Sequence, residues 1–204
     1  QELDLNEVIS DVTKFLRRIL GEDIVLHFNY SPELPAIYAD SGMLEQIIMN
    51  LAVNTRDALP RGGQLSIGTS VVDINEAHVQ ANPEARVGRV VCLRFSDNGS
   101  GIPPEVLPKI FEPFFTTKEV GKGTGLGLAT VYGIVKQHHG WIEVLSKINE
   151  GTTFRVYLPS ADHPAQSSGK ISPAKVHGGN EHILVVEDEP ELRVLVCEIL
   201  KDYG

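Results

Sequence analysis

The sequence predicts an α+β fold, a two-layer sandwich in which helices cover one face of a mixed sheet. Three observations carry that expectation. Long stretches repeat apolar residues every three or four positions, the helical period. Other segments are short and rich in β-branched and aromatic residues, bounded by Gly, Pro, Asn and Asp. Helical and strand segments alternate at first, but the last two strands, WIEVLS and TTFRVYLP, follow one another directly.

The first helix is read over residues 3–20, with Leu5, Val8, Ile9, Val12, Phe15, Leu16, Ile19 and Leu20 as its apolar face and Gly21 as its stop. IVLHFNY and the shorter AIYAD are strands separated by a turn at Pro32–Pro35. A second helix starts at Ser41, whose hydroxyl is expected to cap it, and buries Leu44, Ile47, Ile48, Leu51, Ala52, Thr55 and Leu59 before Pro60 and Gly62 end it. QLSIGTSVVDI and VGRVVCLRFSD are strands joined by a polar loop, NEAHVQANPEAR. PPEVLPKIF reads as a short helix, then a glycine-rich loop leads into the helix GLATVYGIVKQHH and the two closing strands.

From Ser160 to Glu181 the chain turns to Pro, Gly, Ser and Ala, which predicts a linker over 161–181. HILVVEDEP and the helical residues after it, 182–204, read as the opening β–α unit of a second, doubly wound domain whose body is absent. At about 150 residues per domain, 204 residues suit one domain and a fragment. The formal charge of −9 opposes a broad grip on nucleic acid or anionic lipid. Two cysteines, Cys92 and Cys197, give neither a disulfide framework nor a zinc knuckle, and a reduced, cytoplasmic setting is expected. No apolar stretch approaches the roughly 20 residues that span a bilayer.

Three polar constellations carry chemistry. Asn50, Asn54 and Asp57 share one face of the second helix, away from the apolar stripe. Neutral amides one turn apart suit a hard cation that shares phosphate oxygens with its protein ligand; the alternative is a solvated polar face. Asp97 to Gly101, DNGSG, follows a strand. There an Asp can accept from an exocyclic amine, with Gly99 and Gly101 admitting a flat ring, or the segment is simply a tight turn. In GKGTGLG, Gly121, Gly123, Gly125 and Gly127 alternate before a helix, which bares backbone amides to a phosphate with Lys118 and Lys122 nearby. Neither a Walker loop nor a dinucleotide fingerprint fits this stretch, and a plain flexible loop is the bland reading. Phe111, Phe114 and Phe115 between the last two segments are either core or the latch of a lid.

Taken together, EQIIMNLAVNTRDAL, DNGSG, IFEPFFTTK, GKGTGLGLATVYGIVKQHHG and GTTFRVYLP, in this order, closely resemble the ATP-binding catalytic domain of bacterial sensor histidine kinases, of the GHKL or Bergerat fold. HILVVEDEP resembles the start of a response-regulator receiver domain, the arrangement of a hybrid kinase. The resemblance covers roughly residues 1–160. It implies domains at 21–160 (catalytic) and 182–204 (truncated receiver), with 1–20 leading in from a dimerisation and phosphotransfer domain that precedes the chain.

It further implies ATP and Mg²⁺ as cofactors, Asn54 as the Mg²⁺ ligand and Asn50 as the polar position one turn earlier. Asp97 corresponds to the adenine-selecting carboxylate, with Gly99, Gly101 and Thr152 beside it. Gly121, Gly123, Thr124, Gly125, Leu126, Gly127 and Leu128 form the lid and the phosphate-facing helix start. Many relatives carry Lys three residues after the Mg²⁺ Asn; here that position is Asp57, so Lys118 becomes the candidate cation for the γ-phosphate, with Lys122 nearby. Glu187 and Asp188 match the acidic metal pair of a receiver.

The hydrolytic relatives of this fold place Glu where Asn50 stands, and an amide cannot take a proton from water. None of the seven histidines is followed by Glu or Asp, as the family's phosphoacceptor box requires. The expected activity is therefore phosphoryl transfer to a histidine outside this chain, in a parent that dimerises and serves a receiver or response regulator; the alternative is a nucleotide-binding regulatory module without transfer.

Overall fold

The computed structural model describes residues 1–118 and 123–161. Gly121 and Lys122, the linker beyond Ala161 and the expected receiver start with Glu187 and Asp188 lie outside the described residues.

A five-stranded sheet of order β2-β4-β5-β7-β6 forms from β2 (Ile24–Asn29), β4 (Gly63–Ile74), β5 (Gly88–Asp97), β6 (Trp141–Lys147) and β7 (Gly151–Pro159). β2 runs parallel to β4 and the remaining pairs are antiparallel, so the sheet is mixed, as the sequence predicts. β1 (Glu2–Leu3) and β3 (Ile37–Tyr38) make a separate antiparallel pair.

Helices α1 (Leu5–Leu20), α2 (Ser41–Ala58) and α4 (Gly127–Gln137) share one apolar core with the sheet. Leu44, Ile47, Ile48 and Leu51 of α2 and Val131 and Val135 of α4 meet Leu65, Ile67, Val91, Leu93, Phe95, Val156 and Leu158. Burial of each such side chain stabilises by about 1.5–3 kcal/mol. This core sets α2 and α4 side by side, with α4 against β6 and β7, and the candidate site lies where the two helices meet the sheet.

Several local expectations are corrected. Phe15, placed on the buried face of α1, is 61% exposed. At about 100° per residue it stands roughly 100° from the centre of the stripe Leu5–Ile9–Val12–Leu16–Leu20. The cap of α2 is Asp40, whose Oδ1 accepts from the Met43 amide at 2.9 Å, and Ser41 is already helical. The polar loop contains a helix, α3 (Glu76–Ala81), capped by Asn75 through the His78 amide at 2.9 Å. Val79 and Ala85 pack with Ile74, Val90, Cys92, Trp141 and Tyr157 in a second cluster. Because successive strand residues point to opposite faces, Val90 and Cys92 mark the face opposite Val91 and Leu93. The helices are therefore not all on one side. PPEVLPKIF gives only a 3₁₀ turn at Leu107–Lys109, since Pro103, Pro104 and Pro108 each remove a helix donor. α4 ends at Gln137, two residues early, and His139 adopts φ 58°.

Candidate functional site

β5 and β7 are in register with Asp97 opposite Thr152, at the ends nearest the DNGSG turn. Asp97 Oδ1 accepts from the Gly99 amide at 2.8 Å and the Thr152 amide at 3.3 Å. Both bonds use one carboxylate oxygen, which leaves the other to a donor in the adjoining space. Burial raises the Asp97 pKa above its ordinary value, against the pull of the Gly99 and Thr152 amides. Behind this pair Ser146 Oγ accepts from the Ile102 amide at 2.7 Å, donates to the Gly151 carbonyl at 3.1 Å and lies 2.8 Å from Thr152 Oγ1. Gly101, at φ 70°, is a glycine for a local reason: a Cβ there would sit 2.1 Å from the Lys147 carbonyl oxygen. Its form is set by the β6–β7 turn, a different cause from the flat-ring access that the sequence suggested.

Asp97 opens onto a cleft of about 480 Å³, of the size that holds a small molecule. Ile102, Val106, Ile110 and Phe154 supply apolar lining near Asp97. At the other end stand Asn50 and Asn54 of α2, against the start of α4; a Cβ on Gly127 would lie 3.7 Å from Asn50 Oδ1 and 4.0 Å from Asn54 Nδ2. No side chain caps α4, whose preceding residue is Leu126, so its first amides keep their donor capacity and the positive end of the helix dipole faces this end of the cleft. Thr124 Oγ1 accepts from the Leu126 amide at 3.3 Å just before the helix.

Asp57 borders the same end. Its Oδ1 accepts from Arg56 Nε at 3.1 Å and Nη2 at 3.0 Å, and its Oδ2 is hydrogen-bonded by Lys118 Nζ. Partial burial opposes ionisation of Asp57, but hydrogen bonds and charge from Lys118 and Arg56 outweigh it and hold the carboxyl below its ordinary value.

The cleft thus brings together Asn50, Asn54, Asp57, Asp97, Gly101, Lys118, Gly123, Thr124, Gly125, Gly127, Leu128 and Thr152 from the sequence-derived set. It does not include Gly99, buried with its amide on Asp97, or Leu126, which is 40% exposed beside the cleft. Of the three phenylalanines, Phe115 lines the cleft, Phe111 packs on the core and stacks near Tyr132, and Phe114 is 75% exposed. Sequence reasoning missed the apolar wall and Ser146: Ile102, Val106 and Ile110 lie in a proline-rich stretch without periodicity, and a serine in a strand carries no signal of its own.

The family profile described as histidine kinase-, DNA gyrase B- and HSP90-like ATPase matches residues 39–162, which spans α2, the sheet from β4 onward and the whole cleft. The chain belongs to this ATPase family. Relatives by sequence include the sensor kinase CckA of Brucella abortus, 44% identical over 213 residues, covering 99% of this chain and 22% of that protein. The sensor histidine kinase ZraS of Escherichia coli is 36% identical over 160 residues, 78% of this chain and 31% of that protein. Among solved structures, the mycobacterial sensor histidine kinase MprB superposes with a TM-score of 0.63 at 27% identity, covering 78% of this chain and 97% of the other. The chain therefore carries the ATP-binding catalytic domain of a sensor histidine kinase, and it spans less than a third of the length of these curated relatives. Among the described residues no helix is long and apolar enough to cross a membrane.

Proposed function

We propose that this domain holds ATP with Mg²⁺ and passes the γ-phosphoryl group to a histidine on a dimerisation and phosphotransfer domain outside the chain. The observation that carries the reading is the polarity of the cleft. A half-satisfied, half-buried carboxylate, Asp97, stands at one end, while two amides, Asn50 and Asn54, face an uncapped helix start at the other. The first end matches an adenine amine and the second a polyphosphate.

Mg²⁺ fits the second end in a particular way. Among the described residues no three His, Cys, Asp or Glu side chains cluster to hold a metal alone. An amide oxygen of Asn54 beside a phosphate tail is the donor set that such an ion accepts, with phosphate oxygens and water filling its shell. Bound there, the ion would offset charge on the phosphates. Asn50 is an amide and takes no proton from water, which favours an external imidazole as the nucleophile. Its nitrogen forms the new bond to phosphorus as the bond to the ADP oxygen breaks, and positioning and charge neutralisation do most of the work.

The tail at 182–204 we read as the start of a receiver domain, with Glu187 and Asp188 as its acidic pair. Similarity to CckA over 99% of the chain, which extends past the ATP-binding domain, supports continuity of the architecture. A receiver or response regulator is the onward partner, the parent a homodimer. The test is incubation with γ-labelled ATP, with and without a separately supplied dimerisation domain. Label should appear on that domain and on none of this chain's seven histidines. Nucleotide binding without any transfer would leave a regulatory module instead.

A further inference from the structure

In the structure, Lys118 lines the cleft. Its stem passes close to Gly123, where a Cβ would meet Lys118 Cδ at 3.1 Å. Its Nζ ends on Asp57 Oδ2, on helix α2, three residues after Asn54. Both residues line the cleft at the end of Asn50, Asn54 and the α4 start. Lys118, one of two cations among the described residues that line the cleft, is thus already paired to a carboxylate at the end assigned to the phosphates. A second cation, Arg56, grips the other oxygen of the same carboxylate with two nitrogens at 3.1 and 3.0 Å.

We propose that Asp57 is a positioning residue that competes with the terminal phosphate for Lys118, so that Lys118 favours a nucleoside triphosphate over a diphosphate and Asp57 moderates that preference. The inference rests on the nucleotide reading of the cleft. A triphosphate brings its charge to the α4 end and draws Lys118 away from Asp57; a diphosphate falls short and leaves the pair closed. Arg56 makes the exchange possible, because Asp57 keeps a guanidinium counter-ion on its Oδ1 when Lys118 departs and does not become a bare anion beside the phosphates. An Asp at this position would otherwise only repel the ligand. The cost of parting a partly exposed pair is small, which suits a reversible device rather than a permanent block.

The experiment is calorimetric titration of the 204-residue chain with Mg²⁺ and either ADP or a non-hydrolysable ATP analogue, in wild type, Asp57→Asn, Lys118→Met and the double variant. The readout is the ratio of the two dissociation constants. Asp57→Asn releases Lys118, and preference for the triphosphate should rise about three- to tenfold, the range of an ion pair at the edge of solvent plus relief of like-charge repulsion. Lys118→Met should lower the preference, and Asp57→Asn should gain less in that background, since no cation is left to release. A preference unchanged or reduced in Asp57→Asn, with wild type binding both nucleotides, overturns the competition and leaves the nucleotide site standing. Wild type binding neither nucleotide overturns both.

Discussion

The amide of Phe114 donates to the carbonyl of Gly125 at 3.0 Å, and the two residues cross with φ 66° and 67°. The crossing closes the neck of the glycine-rich loop. A Cβ on Gly125 would lie 2.3 Å from the Phe114 carbonyl carbon, so no rotamer relieves the contact; the backbone itself must part. Phe114 is the less expected partner, because a bulky residue at positive φ costs of order 1 kcal/mol or more and its ring is exposed.

Gly125→Ala should open this neck without unfolding the domain, since neither Phe114 nor Gly125 contributes to the apolar core. Hydrogen exchange across residues 114–126 should accelerate at least several-fold, with the denaturation midpoint nearly unmoved. In wild type the same segment should be protected by an ATP analogue with Mg²⁺ and much less by adenosine. Equal protection by both ligands would withdraw the phosphate roles of Lys118 and the loop glycines.

Asp97→Ala should weaken ATP binding by roughly one to two decades, since a hydrogen bond to a charged acceptor contributes about 1.5–3 kcal/mol. GTP, which turns a carbonyl oxygen toward the carboxylate, should bind poorly to wild type. Burial raises the Asp97 pKa despite the amides of Gly99 and Thr152. The acceptor is therefore lost on acidification sooner than an ordinary carboxylate would be, and ATP affinity should fall on the acid side at a higher pH. Asp97→Asn, which does not titrate, should flatten that limb of the profile. Titrations at several pH values measure both effects.

How much of this was legible in the sequence depends on the range of the interaction. The stripe of α2, from Leu44 to Leu59, is a repeat within one helix and emerges buried throughout. The pairing of Asp97 with Thr152 joins residues far apart in sequence, and only the resemblance to known kinases brought them together before the fold did. Asn75 capping α3 is a local signal, but the helix it starts is a turn and a half long and adds only Val79 to an apolar cluster, so polarity masked it. Ser146 and the Asp57–Lys118 pair had no sequence signature: each depends on where two distant segments meet.

Asn54→Ala removes the amide oxygen proposed to face the metal, and it should abolish transfer to a supplied dimerisation domain while adenosine still binds. A rate within a few-fold of wild type would remove Asn54 from the metal site.

Glu143 on β6 ties the α3 segment to the second sheet face. Its Oε1 accepts from His78 Nε2 at 3.1 Å, Asn82 Nδ2 at 2.9 Å and Trp141 Nε1 at 3.4 Å, and its Oε2 accepts from the Tyr157 hydroxyl at 3.0 Å. Burial works against the ionised form, but these four donors prevail and hold the carboxyl below its ordinary value. A folded-state pKa below the unfolded one gives stability that is complete above the unfolded value and disappears as pH falls through the folded value. Glu143→Ala strands the donors together, and a cost of about 1–3 kcal/mol at neutral pH is expected. Glu143→Gln keeps one acceptor but turns an amide donor on the others, so it should recover only part of that loss. Denaturant unfolding of the three proteins from neutral to acidic pH checks the sign: wild type should converge on the variants as the medium becomes acidic. Parallel curves would mean that Glu143 acts by packing alone. Because this cluster lies on the sheet face opposite α2 and α4, ATP affinity should survive both substitutions, which separates the stability of the second face from the chemistry of the cleft.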